Sequence, residues 1–245
     1  MKITILTLFP EMFEGILNNS ILKRAKEKGV FEIELINIRD FSTNKYKHVD
    51  DTPYGGGAGM LMQVEPIDLA LSSVRKSNSY VMMTSPKAKP YTQSKAIELS
   101  KKDHIIIICG HYEGIDARVE KMCDENISIG DYILTGGELA SMVVVDSVVR
   151  LLDNAITHDS LDVESYDNGL LEYPQYTKPF DYKGDKVPEV LLSGHHKNIA
   201  RYRLKMALYD TLRYRKDLFD KHEFTKEEID VLKELLNDLK QGKIA

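Results

Sequence analysis

Apolar runs too short to cross a membrane, yet apolar at every position, commit much of this chain to a sheet buried on both faces. Residues 80–83 (YVMM) and 105–108 (IIII) are such runs, and each stops abruptly. The first ends in Thr84-Ser85-Pro86, the second in Cys109-Gly110-His111-Tyr112-Glu113-Gly114. A third segment, residues 128–139 (SIGDYILTGGEL), is apolar but punctuated by Gly130, Gly136 and Gly137, with Asp131, Thr135 and Glu138 close at hand. Glycines let a backbone reach φ > 0 or approach a ligand where a side chain would block it. Buried parallel strands read as continuous apolar runs, and ligands of such sheets bind beyond the carboxyl ends of the strands. Any one of these ends alone is an ordinary strand-to-helix turn. Together they predict one pocket.

The surrounding pattern agrees. Residues 2–9 and 31–38 are β-rich, and residues 10–28 between them carry helical spacing through Met12, Ile16, Leu17, Ile21, Leu22 and Ala25. Helices are expected over residues 65–76, 92–101 and 137–152, the last apolar enough for a core or a subunit interface. Alternating strands and helices imply βαβ units and an α/β fold with a mostly parallel sheet. After Asp153 the character changes. Residues 159–169 are polar and turn-rich, a linker or lid, and residues 170–188 form an extended crossing with Pro174, Pro179 and Pro188. A helix from Ser193 through Arg213 follows, and Thr225 with Glu228 makes a capping box for a last helix to Leu239. The expected division is an α/β domain over 1–158, a linker over 159–169 and a small all-α domain over 170–245.

Composition narrows the class. The two cysteines, Cys109 and Cys123, suit neither a disulfide framework nor a metal knuckle, and a cytoplasmic setting is expected. The opening MKITILTLFPEMF reads as a first strand rather than a signal peptide, and no run approaches membrane length. A net charge of −5 gives no global case for nucleic-acid binding. Locally the balance reverses. Between residues 195 and 216 lie Lys197, Arg201, Arg203, Lys205, Arg213, Arg215 and Lys216 against the single acid Asp210. A charge run is usually a solvated helix face, but Tyr202, Tyr209 and Tyr214 interleave with these cations, which suits base stacking beside phosphate contact.

Residues 48–60 (HVDDTPYGGGAGM) form a second glycine-rich loop. It lacks the Gly-Lys-Ser/Thr ending of a phosphate loop and fails the dinucleotide G-x-G-x-x-G pattern, since Met62 stands at the last position. A substrate-facing loop and a tight structural crossing are both open to it.

Taken together, LFPEMF (8–13), VDDTPYGGGAGM (49–60), CGHYEGID (109–116), SIGDYILTGGEL (128–139), DSVVR (146–150), GLLEYPQYTKP (169–179) and VPEVLLSGHH (187–196) resemble the bacterial tRNA (guanine-N1)-methyltransferases in order and over nearly the full length. The resemblance implies a SPOUT-class methyltransferase fold with a trefoil knot toward the end of the α/β domain. It also implies a homodimer with its active site at the subunit interface, and S-adenosyl-L-methionine as cofactor. Cofactor-binding residues carried over are Thr84, Ser85 and Pro86; Gly110, Tyr112, Glu113 and Gly114; and Ser128, Ile129, Gly130, Tyr132, Leu134, Gly136 and Gly137. The tRNA is expected at Asp50, Gly55, Gly57 and Gly59, and at Arg201, Arg203 and Lys205 of the helical domain. Magnesium is expected from the family, with no site assigned.

The implied reaction places the methyl on N1 of the guanine immediately 3′ of the anticodon, position 37. That nitrogen becomes a nucleophile only once its proton leaves and the charge spreads to O6. A cation near O6 stabilises that charge and a carboxylate accepts the proton. Family comparison puts the cation on Arg150 and the base on Glu164, with Asp162 as runner-up. The usual base is aspartate, so glutamate keeps the acidity and lengthens the reach. Ala140 and His111 stand where proline and arginine are common. Without the resemblance, Arg150 reads as a helix-terminal cation and Glu164 as a solvated acid. The competing readings are another SPOUT-class RNA methyltransferase, acting on a ribose 2′-hydroxyl or ribosomal RNA, and a non-catalytic RNA-binding module.

Overall fold

A computed structural model of the protein describes residues 1–156, 165–166 and 169–242. The chain divides into two compact units, Met1–Thr157 and His158–Ala245. In the first, five strands form one sheet: β1 (Lys2–Thr7), β2 (Glu32–Asn37), β3 (Ser79–Thr84), β4 (His104–Ile108) and β5 (Glu125–Ile127). Their order is β2-β1-β4-β3-β5, and every pairing is parallel.

Alternation along the strands sorts side chains to two faces. Ile3, Ile5, Met82, Ile105 and Ile107 pack on one side with Leu22 and Ala25 of α1 (Ser20–Glu27), Leu99 of α3 (Gln93–Ser100) and Val144, Val145 and Val148 of α4 (Glu138–Val149). Leu6, Val81, Met83, Ile106 and Ile108 pack on the other with Ile67, Ala70 and Leu71 of α2 (Val64–Val74). Helices therefore cover both faces, as uninterrupted apolar strands require. The helix expected over residues 10–28 is broken. Pro10–Phe13 is a 3-10 turn, Glu14–Leu17 a single helical turn, and α1 starts afresh after Asn19 in an extended conformation. The Asn19 amide donates to the Gly15 carbonyl (2.8 Å), taking an acceptor that a continuous helix would have used.

The second unit contains α5 (His196–Tyr214) and α6 (Lys226–Lys240), with Leu170, Leu208, Val231 and Leu235 buried between its elements. Ser193 does not start α5. Its hydroxyl closes a 3-10 turn onto the Val190 carbonyl, and the helix begins at His196. The capping box at α6 forms, with the Thr225 hydroxyl accepting from the Glu228 N–H and the Glu228 carboxylate accepting from the Thr225 N–H. The crossing over residues 170–188 holds one small hairpin, Asp181–Tyr182 against Asp185–Lys186.

One buried histidine gives the sheet a pH dependence. His104 bridges the Thr4 hydroxyl (3.0 Å at Nε2) and the Ser79 hydroxyl (2.8 Å at Nδ1). Burial, assisted by the nearby Lys2 and Lys76 charges, holds it below its ordinary 6.5. The folded state thus binds fewer protons here than the unfolded chain as pH falls through that value, so this contribution is complete above it and is lost on acidification. Urea titrations from pH 7.5 to 5 are expected to show unfolding free energy falling, with part of that slope removed in His104→Gln.

Candidate cofactor and substrate site

The carboxyl ends of β4, β3 and β5 lie side by side and level, with Met83 opposite Ile108 and Thr84 opposite Ile127. Each of the three expected loops therefore leaves the sheet at one edge. The loop after β3 stays tied to β5 through Ser85 N–H to the Ile127 carbonyl (2.8 Å). In the loop after β4, Tyr112 holds φ +59° and Gly114 φ +130°, and Tyr112 Oη accepts from Arg39 (3.3 Å). The loop after β5 begins with Ser128, whose hydroxyl both accepts from Gly130 N–H and donates to the Gly130 carbonyl.

That third loop then returns over the other two. Gly137 N–H donates to the Gly110 carbonyl (2.7 Å), and His111 pairs with Gly136 as an antiparallel bridge. A Cβ at Gly137 would lie 2.1 Å from the Thr84 hydroxyl oxygen and 2.8 Å from Gly110 N, and one at Gly136 would lie 2.4 Å from Glu138 and 2.5 Å from His111. The crossing is thus backbone on backbone.

Beneath this crossing is a buried carboxylate. Glu138, only 1% exposed, opens α4 and accepts from the Thr7 hydroxyl (2.8 Å) at the end of β1. Its other oxygen lies 3.9 Å from Nδ1 of His111, a buried nitrogen with no hydrogen-bond partner among the described residues. The His111 ring sits 4.9 Å from Phe9 and 5.2 Å, edge-on, from Tyr112. Thr7 escaped the sequence reading because its partner is 131 residues away. Cys109 is fully buried against Ser141 (3.1 Å), and desolvation, reinforced by the Glu138 charge, pushes its thiol far up.

The glycine loop is braced against the loop after β4. Glu113 N–H donates to the Met60 carbonyl, Met62 N–H to that of Gly114, and a short ladder pairs Asp50–Asp51 with Leu61–Met62. Gly55, Gly57 and Gly59 all hold positive φ, and a Cβ at Gly59 would be 2.2 Å from Cγ of Glu113. The structure therefore brings Gly59 to a residue of the expected cofactor loops. Arg150 lies half-buried at the carboxyl end of α4. Glu164 and Asp162 lie outside the described residues. Among the described residues no cluster of histidine, cysteine, aspartate or glutamate has the geometry to hold a metal ion.

In the second unit the three expected tRNA cations separate. Arg201 forms a bidentate pair with Glu234 of α6, and Lys205 pairs with Asp238 (2.6 Å). Arg203, one helical step away and exposed, lies over the Tyr173 ring at 4.8 Å.

Fold and site define a parallel α/β protein with loops packed backbone to backbone at the carboxyl edge of its sheet, joined to a second unit with two longer helices. The family model for tRNA (guanine-1)-methyltransferase TrmD matches residues 1–221. A tRNA (guanine-N(1)-)-methyltransferase of Carboxydothermus hydrogenoformans is 56% identical over 230 residues, 93% of this chain and 91% of that protein. Proteins of the same name from Dictyoglomus turgidum and Clostridium perfringens are 50% identical over 242 residues (98% of this chain, 99% of that protein) and 52% over 235 (95% and 99%). The chain belongs to the tRNA (guanine-1)-methyltransferase family.

Gly137→Ala forces a Cβ into backbone and is expected to lower the unfolding free energy by about 1–3 kcal/mol. Gly15→Ala, where a Cβ meets nothing within 4 Å, is expected to be neutral or stabilising. Parallel urea titrations of the two variants check the contrast.

Proposed function

We propose that the chain transfers a methyl group from S-adenosyl-L-methionine to N1 of the guanine at position 37 of tRNA. The observation that carries this reading is the convergence of the loops after β3, β4 and β5 on Gly137, in a chain of this family. Backbone without side chains at Gly110, Gly130 and Gly136 suits close approach by a ligand carrying an adenine edge and an amino-acid tail. The buried Nδ1 of His111, without a hydrogen-bond partner among the described residues, adds a polar atom beneath the same loops. The cofactor supplies an activated methyl on a positively charged sulfur.

The chain's own residues do the rest. Glu164 accepts the N1 proton, an effect typically worth about 10²–10⁴ in rate. Arg150 donates to O6 as charge develops there. Asp50 and the braced loop through Gly55, Gly57 and Gly59 face the substrate guanine. We assign the return of residues 128–137 across the two neighbouring loops to a trefoil knot, and the boundaries 1–158, 159–169 and 170–245 to knotted domain, linker and tRNA-binding domain. Leu139, Val143 and Ile133, exposed on otherwise apolar sequence, supply surface for a second copy that completes the site as a homodimer. Magnesium is proposed as a co-requirement without assigned ligands. No helix among the described residues is long and apolar enough to cross a membrane, in keeping with action on tRNA in the cytoplasm.

An unmodified transcript with guanine at position 37 is expected to take up labelled methyl as 1-methylguanosine, and its twin with adenine there to take up none. Label in both overturns the assigned position. Glu164→Gln and Arg150→Ala are each expected to lower kcat by at least about 10²-fold while leaving cofactor affinity, measured by calorimetric titration, near wild type. Normal turnover in either variant removes that residue's role.

A further inference from the structure

The extended crossing of the second unit carries an aromatic groove. Its volume is about 290 Å³, at the small end of ligand clefts, and its lining includes Tyr176, Lys178, Pro179, Tyr182, Lys186 and one acid, Asp185. Tyr182 and Tyr176 are 61% and 49% exposed, so both rings are open to a ligand. The hairpin Asp181–Tyr182 with Asp185–Lys186 presents Tyr182, and the turn between the strands holds Lys183 and Gly184 at positive φ. Asp181 is committed to that turn, accepting from Gly184 N–H (2.9 Å), and the Lys183 ammonium lies 5.3 Å from the Tyr182 ring centre.

The groove is continuous with the basic helix. Tyr176 hydrogen-bonds Tyr202 of α5, whose hydroxyl is pushed up to about 12 by burial and by that neighbour. The next residue, Arg203, stacks over Tyr173 of the same crossing. Arg201 and Lys205 turn instead toward the acids of α6. The side of α5 that meets the crossing therefore joins an exposed arginine to open tyrosine rings and to Lys178, Lys183 and Lys186.

We propose that this groove holds an unpaired nucleotide of the tRNA other than the methylated guanine, its base stacked on Tyr182 and its phosphates met by Lys186 and Lys178. Flat rings beside ammonium groups are the chemistry that retains single-stranded nucleotides without reading their sequence. The proposal rests on tRNA being the substrate, as inferred above.

The test uses the full-length protein, an unmodified tRNA transcript and a salt titration. Tyr182→Ala is expected to weaken tRNA binding about 5- to 100-fold, the loss of one stacked base. It should raise KM while leaving kcat and S-adenosylmethionine affinity unchanged. Tyr182→Phe, which keeps the ring, is expected to retain wild-type affinity, and Lys186→Ala to lower the salt slope by about 0.7. Equal tRNA affinity in wild type and Tyr182→Ala, with wild-type methylation intact, overturns the groove and leaves the methyl-transfer reading standing. A wild type that neither binds nor methylates the transcript overturns that reading and the groove with it.

Discussion

Position 137 tolerates no side chain, and much of the first unit is arranged around that fact. A backbone N–H bonded at 2.7 Å to the Gly110 carbonyl requires the third loop to lie flush on the second, with the Thr84 hydroxyl against its Cα. Such closeness is possible only because β3, β4 and β5 are adjacent and end level. Adjacent level ends in turn need parallel strands, and parallel strands need helices on both faces. Burying Val81, Met82, Met83 and the four isoleucines of IIII is thus the condition for bringing three stretches of polar backbone to one edge.

Glu138 fastens this crossing from below. A carboxylate taken wholly out of water is costly unless it is hydrogen-bonded. Here it has the Thr7 hydroxyl, the N-terminal turn of α4 and a histidine ring nearby. The end of β1, the loop after β4 and the start of α4 are therefore held by one group. Thr7 is doubly used, since its hydroxyl also accepts from Phe9 N–H (3.0 Å) and turns the chain away from the sheet.

What could be read from the sequence was local. Uniformly apolar runs identified β3 and β4, but the third strand is Glu125–Ile127, mostly polar and just ahead of the glycine-punctuated segment 128–139, which is the loop that follows it. Thr225 and Glu228, three residues apart, specified a cap that forms as written. Spacing was less reliable where a short side chain intervened: the helical period over residues 10–28 survives, but Asn19 captures the Gly15 carbonyl and splits the helix. Contacts distant in sequence were illegible. Seven cations in 22 residues looked like one basic face. The acids that claim Arg201 and Lys205 are 33 residues further on, so a charge count along one helix overstated what reaches solvent. Glu138 read as a polar group beside a glycine turn, and nothing local announced that Thr7 would meet it. The pairing of Arg150 with Glu164 rests on family resemblance alone, since Glu164 is outside the described residues.

Cys109 shows what burial does to a thiol beside the proposed cofactor loops. A sulfonium methyl is attacked by any good sulfur nucleophile, and thiolate is the strongest that a protein carries. This cysteine immediately precedes Gly110, on whose carbonyl the third loop packs. It has no exposed surface, its sulfur lies against Ser141, and its thiol is held protonated far above neutral pH. With S-adenosyl-L-methionine in the proposed site, a neutral, enclosed thiol would not compete with the guanine for the methyl group, and the desolvation that packs the sheet would guard against self-alkylation.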